Sequence, residues 1–410
     1  MSTQKLANTQ IATYTRPGGP GQLFNRLLKF RIEQMLGSIK TGRLELVWPD
    51  GERTVHGLGP EVVTVTLHSY EPLRSLYFGG EVGFAESYLE GKWSTNDIYA
   101  FFILVVSNEN QFSSHLTAGV MARIRNSIAH VLNRNSLSGS RKNIAFHYDI
   151  GNEFYAAWLD PSMSYSSALY NNTEGTLEQA QRDKIKWIID LVSPARYSKV
   201  LEIGCGWGTL ANTLASECGC RVHAISLSNS QLEYARQASN NLKKVSFQFL
   251  DYRHLSDKYD HIVSIEMFEA VGMVYWDTYF RKLSKLLQPG GTALLQVITI
   301  AEDRFEQYRR NPDFIQRYIF KGGMLPTKSV LRSLTAKHGF ELTQEEWFGD
   351  GYAATLASWR SNFEQNLAHI RSLGYDERFI RMWRYYLAYC ETGFTLGRTD
   401  VGMLLLTRPQ

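Results

Sequence analysis

Apolar residues recur along this chain with two different periods, and the change of period divides it. After a loose polar stretch over residues 1–22, Leu23 to Gly37 (LFNRLLKFRIEQMLG) carry apolar side chains at helical spacing, which predicts an amphipathic helix. Gly42–Trp48 (GRLELVW) alternates as a strand does. Pro49-Asp50-Gly51 is a turn signal, Glu52–Val55 begins a return strand and Val62–Leu67 is a further strand. Pro72–Val106 reads as mostly helical. It ends in the longest apolar run, Ile98–Val106 (IYAFFILVV); a bilayer span needs ~20 such residues, so a buried helix is predicted instead. The polar stretch Asn133–Asn143 (NRNSLSGSRKN) predicts a linker. An N-terminal α+β accessory unit is therefore expected over 1–132, a linker over 133–142 and a second domain over 143–410.

Beyond the linker, strand and helix patterns alternate, the signature of a doubly wound α/β sheet. Seven strands are predicted: Lys199–Ile203, Arg221–Ile225, Val245–Leu250, His261–Ile265, Thr292–Ile298, Phe340–Trp347 and Val401–Thr407. A long helical stretch, Tyr352–Tyr389, separates the last two. The segment from about 300 to 340 is an insertion that the sheet does not need. It is expected as a helical lid over the C-terminal edge of the strands, where ligands bind in such folds.

Composition narrows the class only a little. The 410 residues are 44% apolar and 20% charged with both signs mixed, enough for the cores of two globular domains. A net charge of +4 suits an anionic membrane surface but lacks the clustered Lys and Arg of a nucleic-acid binder. The N-terminus has no stretch resembling a signal peptide, so the expected location is cytoplasmic, with any membrane contact peripheral and on the inner face. Cys218-Gly-Cys220 has no second Cys/His pair at ligand spacing; no metal is expected, and Cys205, Cys218, Cys220 and Cys390 are expected as reduced thiols.

The chemistry begins at Val200–Gly208 (VLEIGCGWG). Val200–Ile203 is a short apolar strand, Gly204-Cys205-Gly206-Trp207-Gly208 follows at once, and Thr209–Ala215 starts a helix. Glycines at such a turn admit positive φ and let the backbone approach a ligand. A dinucleotide fingerprint would place glycine where Thr209 stands and a carboxylate after the second strand. That strand instead ends His223-Ala224-Ile225-Ser226-Leu227-Ser228. The third ends in Leu250-Asp251-Tyr252, a carboxylate and an aromatic at the usual adenine position of methyltransferases. Gly204, Gly206 and Asp251 thus point to S-adenosylmethionine rather than NAD.

Further segments, in order and at natural spacing, carry a family resemblance: His147-Tyr148-Asp149-Ile150-Gly151-Asn152, Asp160–Ala168 (DPSMSYSSA), Ile265–Gly272 (IEMFEAVG), Asp313–Gly323 (DFIQRYIFKGG) and Tyr385–Phe394 (YYLAYCETGF). From about Asn143 onward the chain resembles the cyclopropane-fatty-acyl-phospholipid synthases. The resemblance implies methyl transfer from S-adenosylmethionine to the cis double bond of a phospholipid acyl chain, leaving a carbocation on the chain. A bound bicarbonate then removes a proton and the ring closes. Tyr148, Ser166, Gly204, Ser226, Leu227, Gln231 and Tyr252 match cofactor-binding positions. Glu269 and the Tyr318 hydroxyl, with the main chain around Ser167 and Ile298, match the bicarbonate cage. Tyr148, Tyr165, Phe268, Tyr318 and Phe394 are candidates to shield the cation or simply to pack. Cys390 matches a family cysteine and is read as packing near the site, since no step needs a thiolate. A homodimer is a further expectation from the resemblance.

Four positions depart from the family pattern. Ser167 stands where many members have Cys, Gln296 replaces a common His, Ala270 follows Glu269 where His is frequent, and Lys321 replaces a Pro. Gln can donate a hydrogen bond to an anion but does not titrate near neutrality. These changes surround the deprotonation step, so a methyl-branched chain stays open as the alternative, with cyclopropane the expected product on the resemblance. A small-molecule methyltransferase of the same family is the other open reading, along with a lipid binder whose site has decayed. For lipid access, the Leu23–Leu36 helix with Arg26, Lys29 and Arg31 is compatible with interfacial docking or with core packing. The insertion, with Arg304, Arg309, Arg310, Arg317 and Lys321, is a second candidate, for headgroup contact.

Overall fold

Two sheets organise the chain, and the helices that join them place one long cavity between them. The computed structural model describes residues 20–113, 150–170, 175–239 and 242–410. The first sheet holds β1 (Gly42–Val47), β2 (Arg53–Leu58), β3 (Val62–Leu67) and β4 (Trp93–Thr95) in the order β2-β1-β3-β4. Strand β1 runs antiparallel to β2 and parallel to β3. Alternation puts Leu44, Leu46, Val63, Val65 and Leu67 on the buried face. The predicted first helix spans Pro20–Leu36. The long helical stretch expected from Pro72 is interrupted: a helix over Glu71–Leu89 kinks at Gly80 (φ +62°), β4 intervenes, and Asp97 caps a new helix over Ile98–Ser107 through the amides of Tyr99 and Ala100. That last helix contains the apolar run and buries Phe101, Phe102 and Leu104.

The second sheet holds β5 (Lys199–Ile203), β6 (Arg221–Ser226), β7 (Val245–Phe249), β8 (Tyr259–Ile265), β9 (Leu287–Ile300), β10 (Glu341–Trp347) and β11 (Thr399–Thr407). Their order is β10-β11-β9-β8-β5-β6-β7, parallel from β9 through β7, with β10 and β11 antiparallel at one edge. The alternation predicts this doubly wound sheet, and the resemblance implies its seven-stranded Rossmann-like methyltransferase form. From β5 the chain winds outward to β6 and β7, then returns to β8 on the other side. The crevice above β5 and β8 is therefore the switch point where ligands bind in such sheets.

The insertion between β9 and β10 folds as a helix over Phe305–Arg310, a π-helical turn over Ile315–Ile319 and a helix over Lys328–Lys337. The long helical stretch before β11 divides into helices Gly349–Gln365, Leu367–Ser372 and Glu377–Thr395, with Gly374 (φ +95°) in the second break. Aromatic packing unites the N-terminal unit with the C-terminal part in one core. Trp93, Phe101 and Phe102 belong to the same cluster as Phe154, Trp158, Trp383 and Tyr385, and the Phe102 and Tyr385 rings meet edge-to-face at 4.8 Å. Each such ring contributes roughly 1.5–3 kcal/mol by leaving water. Ion pairs clasp the rim of that junction, with Glu109 held by both Arg304 and Arg398. The expected linker and Tyr148 lie outside the described residues.

Gly208 closes the glycine turn in a left-handed conformation (φ +88°), and a Cβ there would stand 2.8 Å from the Ala235 methyl and 2.9 Å from the Phe247 ring. Gly208→Ala is expected to destabilise the fold by about 2 kcal/mol, combining backbone strain with overpacking. Urea unfolding followed by circular dichroism reads this as a lower midpoint at unchanged slope.

Candidate active site

The C-terminal ends of β5, β6 and β8 open into a cavity of about 890 Å³. Its walls at this end are Gly204, Gly206, Ser226, Leu227, Gln231, Asp251 and Tyr252, so the structure brings these cofactor candidates to one place. Gly204 (φ +84°) and Gly206 (φ +50°) take backbone conformations that side chains resist, and nothing stands within 4 Å of where a Gly206 Cβ would lie. Ser226 Oγ donates to Gln231 Oε1 at 3.1 Å, which fixes the glutamine at the start of its helix. Asp251 is buried and held by Arg253 at 2.6 Å, and burial against Tyr279 holds Tyr252.

Two groups absent from the sequence-level candidates complete this end. Glu202, inside the glycine motif itself, is buried with one carboxylate oxygen lacking a partner, and burial pushes its pKa up to about 8. Lys184 is also buried, donates to Ser166 Oγ at 2.6 Å, and is pushed down by burial to about 8. S-adenosylmethionine carries an ammonium, a carboxylate and a sulfonium. An orphaned buried carboxylate beside a buried ammonium fits the first two, and the open space at Gly206 fits the close approach of the rest. The acidic residue at the end of the first strand was a readable signal. Lys184, far from any motif on the Leu177–Val192 helix, was not.

Deeper in, the second carboxylate region is built differently from the expectation. The Tyr318 hydroxyl is not brought to Glu269; it donates to Glu86 Oε1 of the N-terminal unit at 2.6 Å, next to Arg317. The residue in the expected place is Tyr352, whose hydroxyl donates to Glu266 Oε2 at 2.6 Å. Glu266 Oε1 accepts from the Ser167 amide at 2.8 Å and from Gln296 Nε2 at 2.7 Å. Glu269, three residues on, accepts from the Ile298 amide and has its other oxygen without a partner. Burial, and the charge of Glu266, push Glu269 up to about 8, so it holds a proton at neutral pH. Ser167, Gln296, Ile298 and Glu269 therefore do converge. Bicarbonate does not fit among them, because the donors expected to hold it are already engaged by Glu266 and Glu269.

The remaining candidates divide. Tyr165, Cys390 and Phe394 line the cavity with Tyr352 and Tyr386, and the Tyr165 and Tyr386 hydroxyls bond at 2.8 Å. Burial pushes the Cys390 thiol up, as suits packing and not nucleophilic work. Phe268 packs away from the cavity, stacked on Trp276 at 5.7 Å. Among the described residues no group of His, Cys, Asp and Glu has the geometry to hold a metal ion.

Residues 135–404 match the family model described as mycolic acid cyclopropane synthetase. The chain belongs to that family. It is an S-adenosylmethionine-dependent methyltransferase of the cyclopropane synthase type, in a family that acts on lipids. It is 35% identical over 382 residues to the tuberculostearic acid methyltransferase UfaA1 of Mycobacterium tuberculosis, covering 89% of this chain and 88% of that one. It is likewise 35% identical over 334 residues to the cyclopropane-fatty-acyl-phospholipid synthase of Escherichia coli, covering 80% and 84%. Among solved structures, mycolic acid cyclopropane synthase CmaA1 complexed with SAH and CTAB superposes with a TM-score of 0.61 at 27% identity, covering 65% of this chain and 98% of that one.

Glu202→Gln is expected to weaken S-adenosylmethionine binding about tenfold or more at pH 8, the loss of one charged hydrogen bond. The sign with pH follows from a carboxyl raised to about 8 that must ionise to meet an ammonium. Below pH 8 the wild-type protein must release a proton on binding. Its advantage over Glu202→Gln should thus grow from pH 6 to 8 and level off above, as read by calorimetry.

Proposed function

We propose that the enzyme transfers the methyl group of S-adenosylmethionine to the cis double bond of an unsaturated phospholipid acyl chain. The observation that carries this reading is the lining of the cavity. It joins the glycine loop, Glu266 and Tyr352 to Leu44, Leu46, Val65, Leu67 and Phe102 of the N-terminal unit and to Tyr77 and Gly80. Its charged residues form two groups, one with Lys184, Glu202, Glu266 and Glu269 and one with Glu81, Glu109, Arg304, Asp313 and Arg398. A lining otherwise so largely apolar suits a long acyl chain. It does not suit a small soluble amine.

When bound, the methyl donor supplies an electrophilic methyl on sulfur. The protein's own part is to exclude water from the cation left on the chain and to face it with the rings of Tyr165, Tyr352 and Phe394. Loss of a proton from the new methyl closes a cyclopropane. Loss from a chain carbon gives a methyl-branched alkene, and the similarity to a tuberculostearic acid methyltransferase over most of both chains favours that second product.

The same reading assigns membrane contact to the N-terminal unit. Leu23, Leu27 and Phe30 on the first helix and Tyr77 and Phe78 on the second are 55–62% exposed, and Phe24 packs against both rings of that pair. Arg26 and Arg31 stand exposed among them, suited to anionic headgroups. The patch adjoins the part of the cavity lined by Tyr77 and Gly80, which supports peripheral docking with the acyl chain entering there. No helix among the described residues is long and apolar enough to cross a membrane. The insertion suits headgroup contact less well, since Arg304, Arg309, Arg310 and Arg317 are all paired with carboxylates. The domain limits at 132 and 143 and a homodimer remain part of this proposal.

Incubation with S-adenosylmethionine and liposomes of cis-monounsaturated phospholipid should add 14 mass units (roughly one CH₂) to the acyl chains by mass spectrometry. Hydrogenation then separates the products, because a branched alkene takes up hydrogen under conditions that spare the ring. No mass gain would sink the lipid assignment. The double variant Leu27→Asp, Phe30→Asp should lower liposome sedimentation about tenfold or more while leaving S-adenosylmethionine binding intact; unchanged sedimentation would move the docking face elsewhere.

A further inference from the structure

Glu266 has no counterpart among the residues that the resemblance implies, and three independent features mark it. First, its backbone lies in the left-handed region (φ +48°), which costs a non-glycine residue roughly 1 kcal/mol. Second, it is half-buried just past the end of β8, where an ionised carboxylate is best tolerated if its oxygens are satisfied. Third, they are satisfied, by the amide of Ser167, the side-chain amide of Gln296 and the hydroxyl of Tyr352, drawn from three distant segments of the chain. The carboxylate also lines the cavity, together with the glycine loop and the rings of Tyr165, Tyr352 and Phe394.

We propose that Glu266 is the catalytic base of this enzyme, a built-in carboxylate that takes the place of bicarbonate. The inference rests on the lipid-methylation reading above. In the step it describes, the alkene π pair forms the new bond to the methyl carbon while the S–CH₃ bond breaks with its electrons to sulfur. The neighbouring chain carbon is left positive. Glu266 accepts a proton, and the C–H bonding pair becomes either the ring-closing C–C bond or a C=C bond. The products are S-adenosylhomocysteine, the neutral lipid and a protonated Glu266, so no other reactant is needed. Burial pushes both carboxyls up, but the donors on Glu266 and the Lys184 charge pull it back, whereas Glu269 has one oxygen without a partner; Glu269 therefore keeps its proton and leaves the negative charge to Glu266.

Two variants and one labelled probe test this. Glu266→Gln preserves shape and removes the base; Glu266→Gly relieves the backbone and empties the same three donors. Circular dichroism verifies that each is folded. ¹³C-bicarbonate is titrated into the full-length protein and followed by NMR line broadening, a readout that needs no lipid turnover. The wild-type protein should show no bicarbonate binding, and Glu266→Gly should bind it. In carbonate-stripped buffer with dioleoyl phosphatidylglycerol vesicles, the wild type should keep its full rate and Glu266→Gln should lose about 100-fold or more. Glu266→Gly should start equally low and regain about tenfold or more on adding bicarbonate. Bicarbonate binding to the wild type, a wild-type rate that depends on it, turnover unaffected in Glu266→Gln, or a Glu266→Gly protein that fails to bind bicarbonate would each overturn the proposal. A wild type that methylates no lipid refutes the proposed reaction, whereas the binding comparison still decides whether Glu266 occupies an anion site.

Discussion

One half-buried carboxylate ties this site together. Glu266 draws the Ser167 loop, the middle of β9 through Gln296 and the first turn of the Gly349–Gln365 helix onto a single point at the end of β8. Each donor is itself buried, so each would be costly to leave unpaired. The arrangement is mutually dependent: the charge needs the donors and the donors need the charge. It holds the wall of the reaction chamber at the point where the parallel sheet meets the helices of the C-terminal part, and the glycine loop is fixed one strand away.

That dependence concentrates one set of polar groups near the glycine loop, where Glu202, Lys184, Glu266 and Glu269 line the cavity. Toward the N-terminal sheet Leu, Val and Phe side chains dominate the lining, interrupted by the charged group of Glu81, Glu109, Arg304, Asp313 and Arg398. A carbocation survives only where water is scarce, and a lipid tail is accommodated only where polar groups are scarce. Both demands are met by one cavity whose lining comes from the N-terminal unit and the C-terminal part together. Its integrity therefore rests on the aromatic packing of Phe102 against Tyr385 and on the Glu109 ion pairs as much as on the catalytic residues.

Much of this was legible in the order of residues. Alternation and turn signals locate every strand of the described residues except β4, a three-residue strand too short to carry a period. The glycine loop, Gln231 and Asp251 were readable because their roles follow from their place after a strand. Side-chain direction was not. Among 22 tyrosines, the matched segments pointed to Tyr318, but the π-helical turn that carries it aims its hydroxyl at Glu86. Tyr352 heads a stretch read only as helix. Glu266 lies in one of the matched segments, and a carboxylate between a strand's last isoleucine and a methionine is a signal in itself, since burial there demands partners.

The left-handed backbone at Glu266 has an evolutionary consequence. Glycine is the residue that this φ suits best, and the codons for glutamate and glycine differ at one base. A single point mutation in either direction would exchange a resident acid for an empty anion pocket without disturbing the main chain. The choice between a self-sufficient enzyme and one coupled to dissolved carbon dioxide is then a short mutational step, open to lineages that live at different carbonate levels.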